Sequence, residues 1–480
     1  KVLELANQTG VRVIIPLVDN WWWWGGPKEY AAFRGKTRDE FWTDSLLIAD
    51  FKKTVAHIVS RVNTYTGVPF AQDRALLAWE TGNELVCPFS WTKEIAAYIK
   101  TLDTNHLVIE GTNSREISDD ALLDPHIDVL STHDYGPADR SIPQILKARE
   151  RARGRKPFFV GEFGFIPTAD MRKVIDTVIS SGVSGIMVWS LRGHNRDGGF
   201  YYHTNDYRWP GFPSGNAWDE PGVISLFREK AYEINGRSPE PVPVPEPPAL
   251  LPIETPYKIS WRGSAGADAY LIERRTGDGP LWQVISARAS DADYGYRPLY
   301  ADTTAEPGQS YSYRMRARNA SGYSEESEPA GPVTPLSRML IDEMGDSSMW
   351  YASSGSLQFL PPVDVAKARQ DRSRVSGKTG DYIVYRVPKA ISSAQVDVFA
   401  TNADAESGMA LLSGSDPETL APLSFTRRVF EPLKNDYGFY ACIRLSARDI
   451  PPGHRYIRIV LAEGCQVSRI ELTYGGRPEH

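Results

Sequence analysis

The chain has 480 residues, 41% hydrophobic and 24% charged, which is enough apolar mass for several cores and too long for one ordinary domain. A net charge of −6 without a basic stripe argues against a nucleic-acid binder and suits a neutral polymer as partner. No apolar run approaches the ~18 residues of a membrane-spanning helix, and the three cysteines (Cys87, Cys442, Cys465) lack the paired spacing of a structural zinc site.

Lys1–Gln8 reads as a helix already in progress, stopped by Gly10, so the chain is expected to begin inside a domain. From there to residue 236 apolar strands alternate with amphipathic helices. The strands are Val11–Val18, Leu76–Glu80, Leu107–Glu110, Val129–Thr132, Phe158–Gly161 and Gly185–Leu191, and the helices include Leu46–Thr64, Trp91–Leu102, Ile142–Arg151 and Ala169–Ser180. Strand-then-helix repetition implies parallel β/α units and a (β/α)8 TIM barrel, two units short of eight.

Residues 237–250 are a Pro-rich linker, stiff and extended, expected to act as a spacer. Period-two alternation follows over 251–335, in Tyr257–Trp261, Ala269–Arg274 and Ser310–Arg318, as in a small β-sandwich. Residues 336–480 contain further strands (Tyr382–Val387, Gln395–Ala400, Tyr440–Leu445, Tyr456–Leu461, Val467–Tyr474) and predict a second sandwich of jelly-roll type. Its Cys442 and Cys465 either pair or, the better reading, remain buried thiols. Trp350 and Tyr351 are either platforms for a carbohydrate or core aromatics, the latter favoured. The sequons at Asn7 and Asn319 are too common by chance to count.

Two segments carry chemistry. In Leu76-Leu-Ala-Trp-Glu-Thr-Gly-Asn-Glu-Leu85 an apolar strand ends in Asn83 and Glu84; in Pro157-Phe-Phe-Val-Gly-Glu-Phe-Gly-Phe165 another delivers Glu162 at the same end. The C-terminal strand ends are where a barrel builds its active site. Two carboxyls there are what glycoside hydrolysis needs, one to protonate the leaving oxygen and one to attack the anomeric carbon or activate water. Either glutamate alone would as readily be a loop salt bridge.

Asn-Glu after one apolar strand and Gly-Glu-Phe-Gly after a later one resemble glycoside hydrolase family 5, a family of retaining (β/α)8 hydrolases, over about 235 residues. The resemblance implies that Glu84 is the acid/base and Glu162 the nucleophile, with no cofactor or metal. It implies that the barrel lacks its first two β/α units in this chain, and with them the family arginine that supports the nucleophile. Thr132-His133-Asp134-Tyr135 matches the family His-x-Tyr and places His133 and Tyr135 in the catalytic subsite. Trp189, in Gly185-Ile-Met-Val-Trp-Ser190, would floor the −1 sugar, and Asn83 would bind its 2-hydroxyl.

Val18-Asp-Asn-Trp-Trp-Trp-Trp-Gly-Gly26 and Val62–Phe70 are similar to the endo-β-1,4-mannanase branch. Of the four consecutive indoles Trp21, Trp22, Trp23 and Trp24, one or two should face the cleft, where flat rings meet the C–H faces of β-linked sugars. Arg192 and His194 are expected to shape subsites. Thr81-Gly82 before Asn-Glu and Leu85 after it depart from the mannanase pattern, which leaves glucan and mixed polymers open as substrates. The mechanism requires an ionised Glu162 and a raised Glu84 carboxyl. The region 251–335 resembles a fibronectin type III domain and is expected to be a spacer. Such architecture points to a secreted or surface-held bacterial enzyme, a monomer acting on polysaccharide. An exo-acting relative and a non-catalytic carbohydrate-binding scaffold are the competing readings.

Overall fold

The computed structural model describes residues 1–21, 25–113, 116–190, 193–200, 213–214, 217–218, 220–293, 297–360, 371, 373–401, 404–430 and 440–476. The chain forms two compact units, Lys1–Trp189 and Ser190–His480.

The first unit opens with helix α1 (Val2–Thr9), whose Leu3 and Ala6 pack on Ala75. Strands β1 (Val13–Pro16), β2 (Leu76–Glu80) and β3 (Leu107–Ile109) pair in parallel in chain order. So do β4 (Leu130–His133), β5 (Phe158–Phe163) and β6 (Ile186–Val188), and a parallel bridge from Ile109 to Val129 joins the two runs. Helices α2 (Pro27–Ala32), α3 (Ser45–Val59), α4 (Phe89–Leu102), α5 (Asp119–Leu123), α6 (Ala138–Ala152) and α7 (Thr168–Ser181) alternate with the strands. One apolar cluster takes Ala78 from β2, Ile109 from β3, Val129 ahead of β4 and Phe159 from β5, with Ile14 of β1 packed against it. Side chains from five successive positions in the sheet can meet in one cluster only if the sheet curls around it. Among the described residues no strand pairs with the outer edge of β1 or β6, and both are short and half-exposed, which trims the longer strands expected at Val11–Val18 and Gly185–Leu191.

The long loop after β1 is tied down by aromatics. Phe41 and Trp42 meet Trp91 of α4 at 5.8 and 5.0 Å between ring centroids, and Phe51 of α3 meets it at 5.4 Å. Offset and edge-on packing of this kind adds to area burial, and it gives the loop a fixed footing beside the strand ends.

Among its described residues the second unit contains two two-residue strands, the Glu220–Ile234 helix and then strands, interrupted by one short 3-10 turn at Ala405–Gly408. A five-stranded antiparallel sheet centres on Ala269–Thr276 and Tyr311–Asn319, over a core of Ile259, Trp261, Ile272, Tyr313 and Met315. A seven-stranded and a five-stranded sheet enclose a larger core farther on. Cys442 and Cys465 are buried and form no disulfide among the described residues. Trp350 packs against that larger core, stacks on Phe359 at 5.4 Å and donates its Nε1–H to Asp342, whereas Tyr351 is half-exposed.

The Pro-rich stretch carries no helix or strand from 237 to 248, and it is held at its middle. Asn319 donates to the carbonyl of Pro243 at 2.7 Å, and Ser321 donates to that of Val242. Asn319 is itself buried, so its sequon is engaged in packing.

The ends of β2 and β3 approach so closely that a Cβ on Gly111 would lie 1.7 Å from the Gly82 carbonyl oxygen. Gly111→Ala should destabilise the first unit by about 1–3 kcal/mol, measured by denaturant unfolding. An unchanged midpoint would refute the tight contact.

Candidate active site

The site is built where β2 and β5 end. Past Glu80, backbone bonds stitch residues 81–85 between the extensions of their neighbours: Thr81 N–H to Ile109 O (3.1 Å), Asn83 N–H to Val18 O (2.7 Å) and Leu85 N–H to Gly111 O (2.8 Å). This double-sided anchoring forces Glu84 to φ 50°, a left-handed conformation that a glutamate adopts only at a cost of about 1–3 kcal/mol. On the other side β4 and β5 pair with His133 opposite Glu162.

The two glutamates meet at His133. Its Nδ1 lies 2.8 Å from Glu84 Oε1 and 3.3 Å from Glu162 Oε2, with side chains only 11%, 16% and 13% exposed for His133, Glu84 and Glu162. One ligand atom from each of the three falls within 4.8 Å of the others. By donor type the trio could hold a divalent cation, but each carboxylate already has a second proton donor. Trp21 Nε1–H donates to Glu84 Oε2 at 2.7 Å, and the Tyr135 hydroxyl donates to Glu162 Oε2 at 2.5 Å. Asn83 donates to Asp19 Oδ1 at 3.0 Å. Trp189 is fixed at the end of β6 by its N–H to Phe163 O at 2.8 Å.

Electrostatics separate the two carboxyls in the direction opposite to that expected. Burial alone would raise Glu84, but the hydrogen bond and charge of His133, together with the Trp21 donation, hold it below the usual glutamate value. Burial wins at Glu162, pushing it up to about 7 against the His133 charge and the Tyr135 hydrogen bond. The cause is geometric: His133 sits closer to Glu84, and among the described residues Glu162 has no guanidinium beside it. His133 itself is raised, because its bond to Glu84 and the Glu162 and Glu84 charges outweigh its burial.

Of the expected site residues, the structure brings Glu84, Glu162, Asn83, His133, Tyr135 and Trp21 into one hydrogen-bonded neighbourhood. Trp21 is present through its N–H, where a stacking face had been expected. Trp22, Trp23, Trp24 and Arg192 lie outside the described residues. His194 belongs to the second unit, where it stacks on Phe200 at 4.5 Å and its Nε2 lies 3.2 Å from Asp291 Oδ2.

Four participants escaped the sequence reading. Asp19 orients Asn83, and Asn20 Oδ1 accepts from Arg38 at 2.7 Å and from the Val86 N–H at 3.2 Å. Glu80 and Glu110 are carboxyls surrounded by protein, raised by burial to about 8 and about 7. Asp19 and Asn20 stand in the Val18–Gly26 segment, directly ahead of its run of tryptophans. For Glu80 and Glu110 the available signal was a charged residue closing an otherwise apolar strand.

Residues 2–135 match the family model described as GH family 5 beta-mannosidase-like. Mannan endo-1,4-beta-mannosidase 4 of Solanum lycopersicum is 32% identical over 28% of this chain and 37% of its own length. Mannan endo-1,4-beta-mannosidase F of Aspergillus fumigatus is 26% identical over 43% of this chain and 55% of its own. The matched part thus spans about a third to a half of these curated relatives. Among solved structures, the endo-1,4-beta-D-mannanase of Thermotoga petrophila RKU-1 aligns with a TM-score of 0.40 and 27% identity, over 47% of this chain and 76% of that one.

Glu80, Glu110 and Glu162 all have folded-state pKa values raised above the ordinary 4.5. Between pH 4.5 and about 8 the folded unit therefore holds protons that the unfolded chain has released, so stability falls as pH rises. The first unit should melt several degrees lower at pH 8.5 than at pH 5, a shift on the order of 5 °C by calorimetry. A higher melting point at pH 8.5 would contradict the buried-acid assignment.

Proposed function

We propose that this chain carries a retaining endo-glycoside hydrolase acting on β-1,4-linked mannan or glucomannan. The observation that carries the proposal is the carboxylate pair: two glutamates at parallel strand ends, bridged by one imidazole, with ligand atoms within 4.8 Å. Retaining enzymes hold their carboxyls ~5–5.5 Å apart, whereas inverting ones leave ~6.5–9.5 Å for a water. The similarity of residues 2–135 to the β-mannosidase-like family, and of the chain to mannan endo-1,4-beta-mannosidases, supports mannan as the polymer.

In this reading Glu162 attacks the anomeric carbon while Glu84 protonates the departing oxygen. Glu84 then takes a proton from water to release the glycosyl-enzyme intermediate. Asn83, oriented by Asp19, binds the sugar 2-hydroxyl, and Trp189 floors the −1 subsite. The indoles of Trp21 to Trp24 serve binding. The resting pair carries its shared proton on Glu162, and catalysis needs it on Glu84. A sugar ring that strips water from Glu84 raises that carboxyl, and hydroxyls donating to Glu162 lower the other, so bound substrate reverses the resting order. His133 Nδ1, within hydrogen-bonding distance of the first and 3.3 Å from the second, lies between the two oxygens concerned.

The remaining assignments follow from the same reading. The 251–335 region is a fibronectin type III-like spacer, and 336–480 is a jelly-roll sandwich whose Trp350 fills its core. A polysaccharide substrate implies a secreted or surface-held enzyme working as a monomer. No helix among the described residues is long and apolar enough to cross a membrane.

Hydrolysis of β-1,4-mannan, glucomannan, cellulose and xylan should be assayed alongside Glu162→Ala. Mannan cleavage falling by roughly 10³-fold or more in the variant is the expected outcome. Polysaccharide binding without turnover of any of the four would replace the enzyme with a binding scaffold. The same assay across pH should give a bell whose alkaline limb falls near 7, where Glu162 and with it the shared proton is lost, and whose acid limb lies below the ordinary glutamate value. Activity rising steadily from pH 7 to 9 would exclude the shared-proton account.

A further inference from the structure

Phe165 lies three residues beyond Glu162, and its backbone is in the left-handed region at φ 57°. A bulky side chain at positive φ is a genuine outlier, and such strain persists only where the surroundings impose it. The surroundings are visible. Gly164 is pressed onto the end of β6, where a Cβ would lie 2.6 Å from the Trp189 carbonyl oxygen, so the chain turns sharply as soon as β5 ends. The turn brings the Phe165 ring over Tyr135, with centroids 5.7 Å apart and planes 17° from parallel. Tyr135 is the residue whose hydroxyl donates to Glu162 Oε2 at 2.5 Å.

We propose that Phe165 is a positioning residue: the strained turn after β5 holds its ring against Tyr135 and so aims the Tyr135 hydroxyl at Glu162. This rests on the hydrolase reading and adds a residue to it. Tyr135 is half-buried and stands in a loop after β4, where a phenol has two torsions to lose before its hydroxyl can stay on one carboxylate oxygen. A parallel ring restricts both. Because Glu162 sits in the last residues of β5 and Phe165 in the turn that follows directly, the oxygen that accepts and the ring that aims the donor are set by one continuous piece of backbone. The strain is the cost of that coupling.

The test uses the full chain and four substitutions, Phe165→Ala, Phe165→Gly, Phe165→Tyr and Tyr135→Phe, with Phe165→Ala/Tyr135→Phe as the double variant. Wild-type turnover of mannan, lost in Glu162→Ala, comes first, since its failure would sink the hydrolase reading and leave this inference without an object. Given that turnover, Phe165→Ala should lower kcat about tenfold, less than the ~10²–10³ that removing such a donor outright costs, with little change in KM. In the Tyr135→Phe background Phe165→Ala should cost little or nothing further, because both changes remove the same bond. A weakened donation to Glu162 raises that carboxyl, so the alkaline limb should move to higher pH in both single variants. Phe165→Tyr, which keeps the stack, should restore kcat.

Phe165→Gly separates positioning from folding. Glycine is at home at φ 57°, so this variant should be more stable than Phe165→Ala yet no more active. The inference is overturned if activity follows stability and recovers in Phe165→Gly. It is equally overturned if the Phe165→Ala and Tyr135→Phe losses multiply independently, or if Phe165→Ala leaves kcat and the alkaline limb where they were.

Discussion

A single imidazole nitrogen stands between two buried carboxylates, and the rest of the first unit can be understood as the means of keeping it there. His133 Nδ1 is 2.8 Å from one glutamate and 3.3 Å from the other, all three side chains being more than four-fifths buried. Two carboxyls this close in low dielectric cannot both ionise without a cation nearby. The imidazole supplies the charge, and its unequal distances decide which glutamate gives up its proton first. Acidity at this site is thus a matter of a few tenths of an ångström, which only well-packed elements can maintain.

The elements that do so are strands, with the reactive groups at or just past their C-terminal ends. Within β4 and β5 the ladder places His133 opposite Glu162, so their approach is fixed by register. Glu84 lies beyond the end of β2 and reaches the imidazole because residues 81–85 are bonded on both sides, to Val18 and to Ile109 and Gly111. The backbone strain at Glu84 and Phe165 falls in these two overhanging segments, which is where the sheet stops supplying a standard conformation and the site begins to demand a special one.

That division also explains what could be seen in the sequence. The parallel β/α order of the first unit was legible because apolar strands and amphipathic helices have different periods. Glu84 and Glu162 were legible because carboxylates closing apolar strands are conspicuous, and His133, Tyr135 and Asn83 because the family resemblance carried them. Trp21 was picked for its indole face, but an indole has both a face and an N–H, and sequence alone does not say which one the fold uses. Asp19 works through its Asn83 contact, 64 residues away in the chain, so no local pattern marks it. The order of the two acidities was misjudged for the same reason: it depends on the difference between two distances to His133. In the second unit, strand alternation disclosed the sheets. The fixing of the Pro-rich stretch by Asn319 and Ser321 had no local signature, being made across 76 and 79 positions.

Glu80 and Glu110 complete the electrostatic argument. Burial raises both, and the charges of Glu162 and Glu110 raise Glu80 further, so near neutral pH both hold protons. A site with four carboxyls and one imidazole therefore keeps its net charge low by holding protons. On the proposed hydrolase reading, this is a ground state poorly suited to nucleophilic attack by Glu162, since that residue retains its proton. On that reading it would suit a transition state in which positive charge develops at the anomeric carbon, because an oxocarbenium centre beside Glu162 would supply the cation the resting site lacks and draw the carboxyl into its ionised form as the shared proton passes to Glu84. The interaction is then strongest where the reaction is most demanding, which is the condition for binding energy to appear as rate and not merely as affinity.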